Sequence, residues 1–183
     1  MDGRQGVVLQ MDGEFEIRFE RRLDHPVEKV WDAITGPGQM SGWFDRTQMP
    51  DPLKVGAVIR FRHEVINAES YGQITELDPP HLIEWLWRGP FGPASRMRWE
   101  IAPLETGCLL VLRQQMVDSA VLARTTAGWH DCLDRMQALL EGREAQFDMA
   151  EWRGLFERYA GALPAAGVTT PQAGPPNAPP PTS

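Results

Sequence analysis

The sequence predicts an α+β fold in two layers: an antiparallel sheet covered on one face by a single long helix near the C-terminus. Three observations lead there. From Val58 to Gln115, apolar and polar residues alternate in short runs separated by turn residues, the pattern of consecutive antiparallel strands. After them comes one stretch, ending near Leu140, with apolar residues at helical spacing. Ahead of them stand one alternating strand and two short helical segments. Strands joined by short turns pair antiparallel and leave a face to be covered, and the long helix is the natural cover.

The elements follow in order. Phe15, Ile17 and Phe19 alternate with Glu16, Arg18 and Glu20, a half-buried strand. His25-Pro26 opens a helix, since a proline in the first turn loses no needed N–H. Val27, Val30, Trp31 and Ile34 form its apolar face, and Gly36-Pro37-Gly38 stops it. Gln39 to Phe44 reads as a short helical turn ending in Trp43-Phe44. Strands are then expected over Val58–Val65, Tyr71–Leu77, Leu82–Trp87, Arg96–Ile101 and Cys108–Gln115. Asp78-Pro79-Pro80, Gly89–Pro93 and Glu105-Thr106-Gly107 turn the chain between them.

Asp118 or Ser119 is a good N-cap for the long helix. Leu122, Trp129, Leu133, Met136 and Leu140 give its stripe, and Gly142 is the expected C-terminal stop. Gly128 lies inside this helix at a cost of about 1 kcal/mol relative to Ala, so a close backbone approach is expected there. Asp148 and Glu151 form a capping-box-like pair for a last helix, whose Trp152, Phe156, Tyr159 and Leu163 lay it against the body.

A chain of 183 residues is long enough for one core without metal or disulfide staples. Residues 1–12 lack periodicity and are expected to be a flexible N-terminus; the domain is expected over 13–163, with its last helix (148–163) an appendage. Pro164–Ser183 holds seven prolines and no charge, so it is expected to be a disordered Pro-rich tail. Its Pro175–Pro181 run could serve a PxxP-type binder.

The formal net charge of −7 argues against nucleic acid or an anionic membrane surface as partner. The longest apolar run is five residues, Cys108–Leu112, too short to span a bilayer, and no apolar run opens the chain. A cytoplasmic protein is the resulting expectation. Cys108 and Cys132 lack metal-ligand spacing and read as two buried thiols.

Several fragments together resemble the SRPBCC superfamily, also called START-like, in its bacterial branch related to the C-terminal domain of the heat-shock-protein ATPase activator. They are Pro26–Ile34 (PVEKVWDAI), Trp43-Phe44, Tyr71–His81 (YGQITELDPPH), Trp99-Glu100-Ile101, and Gly128-Trp129 with Leu133, covering about residues 14–142. The resemblance implies the helix-grip fold: a curved antiparallel sheet wrapped around the long C-terminal helix, with two short helices after the first strand. It also implies a cavity between sheet and helix for a small hydrophobic ligand. Many relatives carry a histidine near the end of the last strand, where this chain has Gln114-Gln115, and its loss lowers the expectation of acid–base chemistry.

Seven tryptophans are many for this length, and an indole offers a broad apolar face with one donor, suited to an aromatic ligand. The expected lining is Trp43, placed at the mouth, with Phe61, Tyr71, Trp85, Met97, Trp99, Leu112, Gln114, Trp129 and Leu133. The alternative is that these rings fill the space.

No H-E-x-x-H motif or other metal-ligand cluster is present, so no metal and no cofactor are expected. No GxSxG, GxGxxG or phosphate-loop motif is present either, and Ser41, Ser70, Ser95 and Ser119 show no His–Asp context. His63 shares a strand face with Ile59 and Phe61 and reads best as a satisfied strand histidine. His130 is placed on the polar side of its helix, and Glu84 and Glu100 are placed in solvent. Arg60, Arg62, Arg96 and Arg98 are expected on a solvated outer face.

The leading expectation is a non-catalytic binder of a small hydrophobic or aromatic molecule, acting as monomer or homodimer. A polyketide cyclase- or dehydratase-like enzyme is the first alternative, with Tyr71, His63 and Gln114 as its polar candidates. A co-chaperone or stress-response role through a protein partner, implied by the family resemblance, is the second.

Overall fold

Alternation decides which side of each strand is buried, and it is followed closely. In β4 (Val58–His63) exposed and buried residues alternate without a break. The computed structural model describes residues 4–11, 13–64, 67–89, 92–116, 118–169 and 172. Its other strands are β1 (Val7–Met11), β2 (Glu14–Leu23), β3 (Arg46–Gln48), β5 (Ala68–Asp78), β6 (Leu82–Gly89), β7 (Gly92–Pro103) and β8 (Cys108–Met116). All pair antiparallel in one curved sheet of order β1-β2-β8-β7-β6-β5-β4-β3. The helices are α1 (Val27–Thr35), α2 (Leu122–Leu140) and α3 (Met149–Ala162). The sheet grips α2, and α3 packs against α2, so the helix-grip expectation holds.

One face of the sheet supplies the core: Ile17 and Phe19, Ile59 and Phe61, Ile83 and Trp85, Met97, Trp99 and Ile101, Leu110 and Leu112. α2 buries Leu122, Ala127, Leu133 and Met136 against it. Side chains of this size contribute roughly 1.5–3 kcal/mol each when fully buried. Gly72 is required by this packing, because a Cβ there would stand 2.6 Å from Cδ1 of Trp85. Asp118 caps the turn before α2 by accepting from the Ala120 N–H, and Asp148 caps α3 by accepting from the N–H groups of Ala150 and Glu151.

Several expectations need correction. Residues 7–11, assigned to a flexible N-terminus, form an edge strand in register with Glu14–Arg18. The Gly6 N–H just before it donates to the Tyr159 hydroxyl at 2.9 Å. An edge strand needs only one paired side, so its periodicity is weak. The three-residue β3 was missed for the same reason.

The tail does not begin at 164. Leu163–Ala166 form a 3-10 turn, Val168 is buried in the core, and Gln172 accepts a hydrogen bond from the Ala123 N–H. The Pro175–Pro181 run lies outside the described residues. Gly128 meets no close backbone, since the nearest atom to an added Cβ is Nε1 of Trp152 at 4.0 Å.

His130 is buried rather than on a polar helix face, because α3 covers it and the Tyr159 hydroxyl pairs with its Nδ1 at 2.7 Å. Glu84 lies on the outer face as expected, yet is buried. Thr75 and Arg96 donate to it at 2.8 Å, and Arg98 at 3.2 Å. Arg98 also reaches Glu76 and Glu100, so the outer face carries an ion-pair network rather than free arginines. Glu100 is half-buried between Arg98 and Arg113.

Candidate functional site

Period-2 geometry puts alternate side chains of the strands on the concave face, but α2 does not fill that face along its whole length. Toward the β6–β7 turn and the C-terminal end of β8 a cavity of about 460 Å³ remains between sheet, α2 and the start of α3. The sheet contributes His63, Trp87, Ser95, Gln114 and Met116; Phe44 and Asp45 come from the segment before β3. α2 contributes small or polar side chains, among them Thr125, Gly128 and Asp131, alongside Trp129. Phe147, Met149 and Trp152 close the side toward α3. The absence of a side chain at Gly128 helps keep this volume open.

Of the ten side chains expected to line the cavity, Gln114 and Trp129 do so. Phe61, Trp85, Met97, Trp99, Leu112 and Leu133 lie on the expected face but are packed deeper, as the floor beneath the cavity. Trp43 is not at the mouth: it is 1% exposed, with its indole N–H donating to the Ala33 carbonyl at 2.9 Å. Its neighbour Phe44 takes the cavity position and stacks on Trp129, with ring centroids 5.2 Å apart.

Tyr71 is on the opposite face. It is 38% exposed, donates to Glu69 and lies under the Arg60 guanidinium. Its flanking residues Ser70 and Gly72 are the ones that point inward, which puts Tyr71 outward by alternation.

The rings form a connected framework. Phe61 stacks on Trp87 at 4.6 Å, and Trp99 meets both Trp43 and Trp129 edge-on. A polar chain holds Trp129 in place: its indole N–H donates to Oε1 of Gln114 at 2.7 Å, and Nε2 of Gln114 donates to the Ser95 hydroxyl at 2.9 Å. Gln114 therefore orients the central ring of the cavity wall.

The second polar group was missed in the sequence. Oδ2 of Asp45 lies 2.6 Å from Nδ1 of His63, whose Nε2 lies 2.7 Å from the Ser70 hydroxyl. Ser70 thus has the His–Asp context it was expected to lack. The available signal was pairing across the β4–β5 turn, where Phe61 faces Ser70 and His63 faces Ala68, so His63 and Ser70 are diagonal neighbours on one face.

A third group, Asp131, pairs with Arg135 at 2.8 Å; burial raises its pKa and Arg135 only partly offsets this. Cys132 also lines the cavity, but burial pushes its thiol up to about 12, so it is not a nucleophile at neutral pH. Both cysteines are free and buried, as expected. Among the described residues no cluster of His, Cys, Asp or Glu could hold a metal ion. No helix among them is long and apolar enough to cross a membrane.

A curved sheet gripping a C-terminal helix over an aromatic-floored cavity defines an SRPBCC-type, START-like protein. The chain belongs to the Activator of Hsp90 ATPase homolog 1-like protein family, whose model matches residues 24–141. Its fold is similar to that of CalU16 from Micromonospora echinospora, at 23% identity and TM-score 0.70, over 87% of this chain and 97% of that one. EF2215 from Enterococcus faecalis aligns at 14% identity and TM-score 0.74, over 90% of this chain and 94% of that one. DynU16, a protein of the dynemicin biosynthetic locus, aligns at 22% identity and TM-score 0.64, over 73% of this chain and half of that one. None of the curated proteins matches the sequence.

Proposed function

We propose that the protein binds a small, largely apolar aromatic molecule in the cavity between sheet and α2, and that binding rather than turnover is its role. The observation that carries this reading is the cavity itself. Its volume of about 460 Å³ lies in the range of small-molecule sites, and its wall combines aromatic rings with a few fixed polar groups. The Gln114 bridge supports it further, since it holds the Trp129 ring ready for contact before any ligand arrives. The setting of DynU16 in a biosynthetic locus is in keeping with small-molecule cargo.

Native mass spectrometry on freshly purified protein, followed by unfolding, tests the reading. A discrete adduct released on unfolding is the expected result. Trp87→Ala at the wall should weaken rebinding of that molecule by about tenfold, whereas Trp99→Ala in the floor should chiefly lower the melting temperature. Equal effects of the two on binding would remove the cavity as the site.

A cyclase- or dehydratase-like activity is the second reading, favoured by one observation, the Asp45–His63–Ser70 chain at the cavity. A pH–rate profile that moves on His63→Gln would favour it; an unchanged profile would remove His63 from the chemistry.

A further inference from the structure

Asp, His and Ser in hydrogen-bonded series suggest a serine nucleophile, but the order of burial here is reversed. In that arrangement the carboxylate is buried and the hydroxyl faces the substrate. Here Ser70 is 0% exposed, the His63 side chain 8%, and the Asp45 side chain 40%. Asp45 and His63 line the cavity and Ser70 does not. The reachable end of the series is therefore the carboxylate.

The other two residues explain how that carboxylate is held. A Ser70 hydroxyl donating to Nε2 of His63 leaves Nδ1 as the protonated nitrogen, donating to Oδ2 of Asp45. This fixes the plane of the carboxylate. Oδ1 is left without a hydrogen-bond partner among the described residues, and no Lys or Arg among them pairs with Asp45. The neighbouring Asp131, by contrast, is paired with Arg135.

Asp131 and Arg135 at the wall thus largely satisfy each other, while Asp45 keeps an oriented acceptor beside the aromatic surface of Phe44, Trp87 and Trp129. An acceptor of this kind rewards a hydrogen-bond donor and repels an anion.

We propose that Asp45, oriented by His63 and Ser70, is the polar subsite of the cavity and selects an aromatic ligand bearing a hydroxyl group. This rests on the binding reading above and specifies the chemistry of the ligand's polar end. Ser70 and His63 are positioning residues, and Asp45 is the group that touches the ligand.

The test compares three probes of one size, 2-naphthol, 2-methoxynaphthalene and 2-naphthoate, titrated against the full chain by calorimetry. The wild type should bind 2-naphthol at least about tenfold more tightly than 2-methoxynaphthalene, as a hydrogen bond to a charged acceptor warrants, and 2-naphthoate most weakly. Asp45→Ala should bring the two neutral probes within about twofold of each other, and Asp45→Asn should narrow the gap without removing an acceptor. Ser70→Ala leaves the carboxylate in place but removes the hydroxyl that orients His63, so it should reduce the preference by less than Asp45→Ala does.

Equal binding of 2-naphthol and 2-methoxynaphthalene by the wild type overturns the subsite while leaving the cavity reading intact. A preference that survives Asp45→Ala, or one for 2-naphthoate, places the polar end elsewhere, with the wall residue Arg124 the alternative in the last case, and a preference unchanged in Ser70→Ala removes Ser70 as a positioning residue. If no probe binds at its solubility limit, the cavity reading itself falls and the subsite with it.

Discussion

The Gln114 bridge allows a quantitative test of how the cavity wall is held. Replacing Gln114 by Leu keeps a side chain of similar size but removes two hydrogen bonds, the one accepted from Trp129 at 2.7 Å and the one donated to Ser95 at 2.9 Å. Trp129 and Ser95 are both buried, so the indole N–H is stranded. A stranded buried donor costs about 1–3 kcal/mol, and that range is the expected loss for Gln114→Leu. Trp129→Phe removes the donor instead and leaves the glutamine oxygen unpaired at a comparable cost. In the double variant neither group is left without a partner, so the two losses should fall short of additivity by about 1 kcal/mol or more.

Urea denaturation followed by far-UV circular dichroism measures all four proteins without relying on tryptophan emission. For a domain of this size each kcal/mol moves the melting temperature by about 2–4 °C, which gives an independent reading. Losses that add to within about 0.5 kcal/mol would refute the reasoning. Trp129 would then be held by its stacking on Phe44, with the bridge contributing nothing of its own.

Other substitutions probe the scaffold. Gly128→Ala should stabilise by up to about 1 kcal/mol, because helix propensity improves and the new Cβ meets nothing closer than 4.0 Å; a lower urea midpoint would contradict this. Gly72→Ala should destabilise by about 1–3 kcal/mol by driving a methyl into the Trp85 indole, and an unchanged midpoint would show that the ring can retreat. Tyr159→Phe removes the hydroxyl shared by the Gly6 N–H and His130, so faster amide hydrogen exchange in β1 is expected with little change in β6 and β7.

Burial opposes the charge of Glu84, but hydrogen bonds from Thr75, Arg96 and Arg98 outweigh it and lower its pKa below the ordinary 4.5. Its contribution is therefore present above that value and lost as pH falls through the lower folded-state pKa. Glu84→Gln should flatten the decline in stability as pH falls below the ordinary 4.5, and an unaltered pH profile would remove Glu84 from acid unfolding.

What was legible follows from what each pattern encodes. Period-2 alternation places Phe61, Trp85, Met97, Leu112 and Gln114 on the concave face, and they are there. The same rule, applied to the inward pair Ser70 and Gly72, excludes Tyr71; its choice as a wall residue came from its chemistry, not its parity. Alternation carries no information about depth. On three strands the wall lies two residues nearer the open end than the expected lining, with His63 rather than Phe61, Trp87 rather than Trp85 and Ser95 rather than Met97, and of the expected Leu112 and Gln114 only Gln114 reaches it. Depth is set by where α2 stops filling the sheet, and that depends on Thr125 and Gly128 facing the strands in a register no single segment reveals.

The Asp45 series shows the same limit from another side. His63 and Ser70 are seven positions apart, and only the β4–β5 register makes them neighbours. Asp45 joins them because β3, three residues long, pairs with the end of β4 and brings the preceding residue over the cavity. A strand that short has almost no periodicity, yet it places the one carboxylate on which the proposed selectivity depends. If β3 has this role, weakening it while keeping the Asp45 side chain should impair recognition before stability. Thr47→Pro removes the backbone N–H that donates to the Ser41 hydroxyl at 2.9 Å, and the Thr47 side chain that donates to the Asp45 carbonyl at 2.7 Å. The expected outcome is loss of the 2-naphthol preference with a small change in urea midpoint, since an edge strand of three residues holds little of the core. A variant that unfolds as readily as one altered in the aromatic floor would mean that β3 is part of what holds the sheet closed, and not only the support for Asp45.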